Sequence, residues 1–169
     1  MTDTDTGAPE APTPAATYRA PPIVILVQYL KDLSFENPHS PAILSHALEV
    51  RQGRVGVDLR ITPVGPPNFE VVLKLRVEAA HEGKAAYLLD MEYAAMVQIG
   101  EVPEDKIEPL LMIEAPRLMF PYVRALVTQM TQEGGFAPLL VHPIDFHALY
   151  RDHKKKAAAA QGGGAQAQA

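Results

Sequence analysis

Residues 68–79, NFEVVLKLRVEA, alternate with period two: Phe69, Val71, Leu73, Leu75 and Val77 on one face, Glu70, Val72, Lys74, Arg76 and Glu78 on the other. That pattern predicts a strand with one buried and one wet face. The turn HEGK at 81–84 joins it to a second extended run, AAYLLDMEYAAMVQI, at 85–99. Four residues are too few for a parallel crossover, so the two runs are expected to form an antiparallel hairpin.

Two further runs have strand character. Pro22–Glu36 is rich in β-branched and aromatic residues. Simple alternation puts Ile23, Ile25, Val27, Tyr29, Lys31, Leu33 and Phe35 on one face, and Val24, Leu26, Gln28, Leu30, Asp32, Ser34 and Glu36 on the other. NPHSP at 37–41 should stop that strand. From about Arg54 to Thr62, Val55, Val57, Leu59 and Ile61 alternate with Arg54, Gly56, Asp58 and Arg60, and Pro63, Gly65, Pro66 and Pro67 supply a turn. The expected sheet is antiparallel, with about four strands.

Beyond Gly100 the period changes. Pro103, Glu104 and Asp105 form a helix opening, continued by Ile107, Leu110, Leu111 and Glu114. Pro116 is expected to end this helix and Pro121 to begin a second, PYVRALVTQMTQEGG, capped by Gly134 and Gly135. Apolar residues surround most of that second helix, which implies cover on more than one side and hence an oligomer. A short last helix is expected over IDFHALYRDHKKK at 144–156.

Composition sets the domain limits. Residues 1–22 are rich in Pro, Ala and Thr and 154–169 in Ala, Gln and Gly, without a periodic apolar face; they read as a disordered leader and tail around one domain over 23–153. The chain has no cysteine, which removes disulfides, thiolate zinc sites, iron–sulfur clusters and cysteine nucleophiles. No apolar run approaches the roughly 20 residues of a membrane span, and PIVILV follows an acidic leader, so a cytoplasmic protein is expected. The net charge is −5; the leader carries −2 and residues 151–169 carry +3, leaving −6 over 23–150. An acidic centre disfavours nucleic acid and favours basic partners.

Candidate chemistry is sparse. Asp32, Ser34 and Glu36 share a strand face, as do Leu88, Asp90 and Glu92. Asp32 and Glu36 stand about 13 Å apart on an extended strand, wider than a glycosidase carboxylate pair. A solvated face or a docking patch for a basic partner fits them better than catalysis. His142, Asp145, His147, Asp152 and His153 match no zinc-binding spacing, and no nucleophile elbow or phosphate loop accompanies Ser34, Ser45 or Gly162–Gly164.

YLKDLSFENP at 29–38 and IEAPRLMFPYVRALVTQMTQEGGFAPLLVHPIDFHALY at 113–150 carry an ordered set of motifs. These are an acidic first strand, Ala-Pro before Leu-Met-Phe-Pro-Tyr-x-Arg, Gly-x-Phe-x-Pro-Leu and Pro-x-x-Phe-x-x-Leu. In that combination the chain resembles the SecB family of bacterial export chaperones over about residues 23–150. The resemblance implies an α+β fold, with a four-stranded antiparallel sheet and the C-terminal helices packed on one face. It further implies an ATP-independent holdase, a homotetramer built as a dimer of dimers, that binds unfolded secretory preproteins and delivers them to the SecA motor ATPase. No enzymatic activity, cofactor, protein-bound metal, nucleic acid or membrane insertion is implied.

By that resemblance the SecA-docking positions fall on Asp32, Glu36, Leu88 and Asp90, and any zinc belongs to SecA. The apolar client grooves lie between the sheet and the C-terminal helices, which makes Phe35, Val57, Leu59, Phe146, Leu149 and Tyr150 the candidate client contacts. The tail, Lys-rich and then Ala/Gln/Gly-rich, departs from the acidic tail usual in the family. Two other readings stand beside this one: a small α+β enzyme of thioesterase-like shape, and a SecB-like chaperone serving a toxin–antitoxin system.

Overall fold

A computed structural model of the chain describes residues 21–163, with the side chains of 51–53, 157 and 159–163 outside the description. Apart from Pro21 and Pro22, the expected disordered leader lies outside the described residues, as does 164–169 of the expected tail. Four strands, β1 (Ile23–Glu36), β2 (Arg51–Gly65), β3 (Asn68–His81) and β4 (Lys84–Ile99), form one sheet in the order β1-β4-β3-β2. Every neighbouring pair is antiparallel. The sheet is the four-stranded one expected.

Local chemistry accounts for the β3–β4 hairpin. Only Glu82 and Gly83 separate the strands, with φ of 48° and 78°. Two successive left-handed residues make the turn whose twist matches paired strands, and glycine carries the second position without a Cβ penalty. The β1–β2 connection instead crosses the end of the sheet through a 3₁₀ turn at Ala42–His46, so that β1 lies beside β4 rather than β2.

Simple alternation fails in the middle of β1. The pairing with β4 skips one residue between Ile25 and Val27 and another between Leu30 and Asp32. Each bulge inserts an unpaired residue and reverses which face the following side chains take. Gln28 and Leu30 therefore pair with Ala95 and Tyr93 on the helix side, while Val27 and Tyr29 turn to the opposite face. The second bulge restores the expected phase for Leu33 and Phe35 toward the core and for Asp32, Ser34 and Glu36 away from it.

The two expected helices are one helical run. α1 (Glu104–Pro109) passes through a π-helical turn at Leu110–Glu114 into α2 (Ala115–Glu133), with Pro109, Pro116 and Pro121 all inside the run. Pro116 would press its ring on the carbonyl of Met112 in a regular helix. The wider turn just before it, in which the Ala115 N–H reaches the Leu110 carbonyl, relieves that crowding without ending the helix.

α2 packs over β1, β4 and β3. Met119, Val123 and Val127 are fully buried with Leu73, Leu75, Leu89 and Met91 of the sheet. The opposite face of α2 carries exposed Leu118, Tyr122, Ala125 and Gln129, so within one chain only one side of this weakly charged helix is covered. After Gly135 the chain turns back, held where the Thr131 hydroxyl accepts the Leu139 N–H at 3.0 Å and the Thr128 hydroxyl donates to the Leu139 carbonyl at 2.8 Å.

α3 (Phe146–Gly163) continues well beyond residue 153, where the domain was expected to end. The alanines at 157–160 are strong helix formers. Lys154 reaches Glu108 of α1 at 2.5 Å, which fixes the middle of α3 against the helical run. Among the described residues no helix is long and apolar enough to cross a membrane.

Candidate functional site

Two surfaces carry the residues singled out from the sequence: the sheet face that the helices leave bare, and a groove along β2. On the bare face the β1–β4 ladder sets Asp32 opposite Glu92, Ser34 opposite Asp90 and Glu36 opposite Leu88. All four expected docking residues, Asp32, Glu36, Leu88 and Asp90, are thus brought onto one side of two adjacent strands.

Their electrostatic settings differ. Asp90 is met by Lys74 at 3.2 Å and Arg76 at 3.5 Å, and Glu92 by Arg60 at 3.2 Å and Lys74 at 3.8 Å. Lys74 and Arg76 come from β3, the neighbour of β4, and Arg60 reaches over β3 from β2. Asp32 and Glu36 are exposed and make no ion pair among the described residues; Glu36 receives only a 3.4 Å hydrogen bond from Ser34. The face is a mixed-charge lattice whose uncompensated negative end is the β1 edge.

Further along this face, Glu70 of β3 takes the Lys31 ammonium at 2.7 Å and accepts the Tyr29 hydroxyl. The Lys31 hydrogen bond, followed by that from Tyr29, holds the Glu70 carboxyl below the usual carboxylate range. The same Glu70 contact is the first cause pushing the Tyr29 hydroxyl up. This three-residue link stitches β1 to β3 across β4, and it exists because the first bulge turns Tyr29 to this face.

The groove follows from how far α2 reaches. Because α2 covers β1, β4 and β3, the inward residues of β2 are left half-buried. Val57 and Leu59 of β2 line a cleft of about 250 Å³ with Phe146 and Leu149 of α3 and Met112 of the π turn. A second cleft shares Leu59, Met112 and His153 and extends the apolar floor to Ile61, Ile107 and Leu111. Asp152, Lys156, Glu104 and Glu108 stand at the rims. Phe146 is buried and anchors the base of α3 edge-on against Phe120, with ring centres 6.1 Å apart.

Four of the six candidate client contacts, Val57, Leu59, Phe146 and Leu149, therefore meet in one cleft. Tyr150 lines neither cleft; it is half-buried, with the Lys154 ammonium 5.5 Å from its ring centre. Phe35 does not join them. It sits on β1, stacked on Tyr87 at 5.5 Å, with Tyr87 in turn 4.9 Å from Phe136. Sequence reasoning passed over Ile61, Ile107, Leu111 and Met112 as groove residues. Ile61 was legible, since it shares the alternating face of Val57 and Leu59; the others depend on where the helical run crosses β2.

Comparison with known proteins gives the chain's family and fold relatives. The family model described as SecB, preprotein translocase subunit SecB, matches residues 16–157. The protein-export protein SecB of Nitrobacter winogradskyi is 42% identical over 149 residues, covering 88% of this chain and 94% of the relative. That of Rhodospirillum rubrum is 41% identical over 148 residues, covering 88% and 91%. Among solved structures, a SecB-like chaperone of Mycobacterium tuberculosis in complex with an antitoxin peptide superimposes with a TM-score of 0.61 at 16% identity, over 72% of this chain and 90% of that one. The fold is shared with that chaperone, and by sequence along most of its length the chain belongs to the SecB family, whose curated members are named protein-export proteins.

Proposed function

We propose that this chain is an ATP-independent holdase that captures unfolded secretory preproteins and delivers them to the SecA motor ATPase. The observation that carries the reading is the groove along β2: apolar side chains on a sheet edge, half-open to solvent, floored by the π turn and walled by α3. Burying client apolar surface there yields about 25 cal/mol per Å², a gain that depends on area and not on sequence. Several such grooves in one assembly would hold a long unfolded chain through many weak contacts.

Delivery rests on the bare sheet face. Asp32 and Glu36, uncompensated at the β1 edge, offer a negative docking site for a basic segment of SecA, with Leu88 and Asp90 beside them. Assembly as a homotetramer is supported by two apolar surfaces that one chain leaves open. Edge strand β1 exposes Leu26 (52%) and Val27 (51%), and the outer face of α2 exposes Leu118 (48%) and Tyr122 (54%). An unpaired edge strand and a bare apolar helix face are both natural contacts for further copies of the chain. The work is done in the cytoplasm, before the preprotein reaches the membrane.

The test is refolding of a slow-folding secretory precursor from denaturant, with and without a slight excess of this protein and without ATP. Retarded refolding, with precursor retained in a soluble complex, supports the holdase. Unchanged refolding across several precursors would refute it. Light scattering on the free protein checks the four-chain assembly, and calorimetric titration with SecA checks delivery.

A further inference from the structure

At one end of the sheet, remote in sequence from the histidines weighed at the C terminus, three side chains converge. His46 closes the 3₁₀ turn of the β1–β2 crossover, Glu49 follows it, and His81 ends β3 at the hairpin. The two imidazoles are stacked, with centres 4.8 Å apart and planes 14° from parallel. Glu49 offers one carboxylate oxygen to His46 Nδ1 at 3.6 Å and the other to His81 Nε2 at 3.7 Å.

These separations are long for hydrogen bonds and close to those between ligands of one metal ion. Nitrogen and oxygen ligands at about 2.0–2.2 Å from zinc in tetrahedral array stand roughly 3.3–3.5 Å apart. All three candidate ligand atoms lie within 4.8 Å of one another. An imidazole lone pair lies in its ring plane, so the exposed His46 ring would turn out of the stack to meet an ion held by His81 and Glu49. The His81 side chain is only 13% exposed, whereas those of His46 and Glu49 are 51% and 64% exposed and can move to meet an ion. His39, held by a 2.9 Å contact between its Nδ1 and the Ala85 carbonyl, lines an adjoining cavity of about 290 Å³ with His46, His81 and Lys84.

We propose that His46, Glu49 and His81 form a binding site for a divalent first-row transition ion, zinc foremost, with a remaining position open to water. Two imidazoles and a carboxylate are a borderline donor set that suits zinc over magnesium or calcium. The ion would tie the β1–β2 crossover to the β3–β4 hairpin, two segments that a single 3₁₀ turn and a two-residue loop otherwise hold. The proposal is independent of client capture and SecA docking.

Calorimetric titration of the full chain with zinc chloride, paired with cobalt(II) absorption in the visible range, tests it. One ion per chain is expected. His81→Asn and Glu49→Gln should each weaken binding by at least about tenfold, since even the loss of an outer-shell partner costs that much. Replacing His142, His147 and His153 together by Asn should leave binding unchanged. Because Glu49 is exposed, Glu49→Gln reports on ligation even where His81→Asn disturbs folding. No uptake by the full chain, or uptake that survives Glu49→Gln and disappears with the three C-terminal histidines, would overturn the site.

Discussion

Glu36 lies directly opposite Leu88 across the β1–β4 ladder, on the sheet face without helices. The pairing places a carboxylate that has no ion-pair partner among the described residues beside a partly exposed apolar side chain, and Asp32 follows two strand repeats away, past Ser34, on the same face. Reversing the two charges with Asp32→Lys and Glu36→Lys is expected to weaken SecA binding at least tenfold, about 1.4 kcal/mol. Assembly and client retention should persist. Asp90→Asn should cost less, because Lys74 and Arg76 already counter that charge. Calorimetry at two ionic strengths checks both, since the missing contribution is electrostatic.

Leu149 is 38% exposed on the wall of the β2 groove. Leu149→Glu should abolish the delay of precursor refolding with little loss of stability, because the new charge faces solvent when no client is bound. Thermal denaturation alongside the refolding assay separates the two effects.

Gly134 has an ordinary helical φ of −72°, so backbone strain does not require glycine there. A Cβ at that position would lie 2.4 Å from Cζ of Phe35. Alanine would gain up to about 1 kcal/mol from the stiffer unfolded chain. Overlap with a packed aromatic ring costs about 1–3 kcal/mol and should prevail. Gly134→Ala is expected to lower the midpoint of denaturant unfolding, and adding Phe35→Leu should restore part of the loss; a double-mutant cycle measures the coupling.

Thr131 is the fully buried polar side chain among the described residues, and its hydroxyl accepts the Leu139 N–H. Thr131→Val keeps the shape and orphans that N–H, at a cost of about 1–3 kcal/mol. Faster amide exchange at Leu139 should accompany the fall in stability.

Glu70 carries a lowered pKa from its ordinary value of 4.5, caused first by Lys31 and then by Tyr29. A carboxylate depressed in the folded state contributes stability above its unfolded pKa and loses it as pH falls through the folded one. Wild-type stability should therefore decline from just above pH 4.5 downward, and Glu70→Gln should flatten that part of the profile. Denaturant titrations at stepped pH values measure it.

Period-two alternation in β3 and β4, the Glu82-Gly83 turn and the half-apolar β2 are properties of neighbouring residues, so the sequence by itself determined the strands, their antiparallel hairpin and the family. It also determined that Asp32 and Glu36 share a face, because no bulge falls between them; the second bulge restores only the side of the sheet they take. The tertiary structure decided what depends on distant partners. β1 pairs with β4, which turns Gln28 and Leu30 to the helix-side face of the sheet and Tyr29 to Glu70. A π turn carries the helical run through Pro116, a solution that proline's local preference alone does not reveal. Lys74, Arg76 and Arg60 neutralise Asp90 and Glu92 only because three strands lie side by side, and His81 reaches Glu49 only because the crossover folds onto the hairpin. Local backbone preference acts within a few residues; charge pairing and ligand convergence require the chain to close on itself.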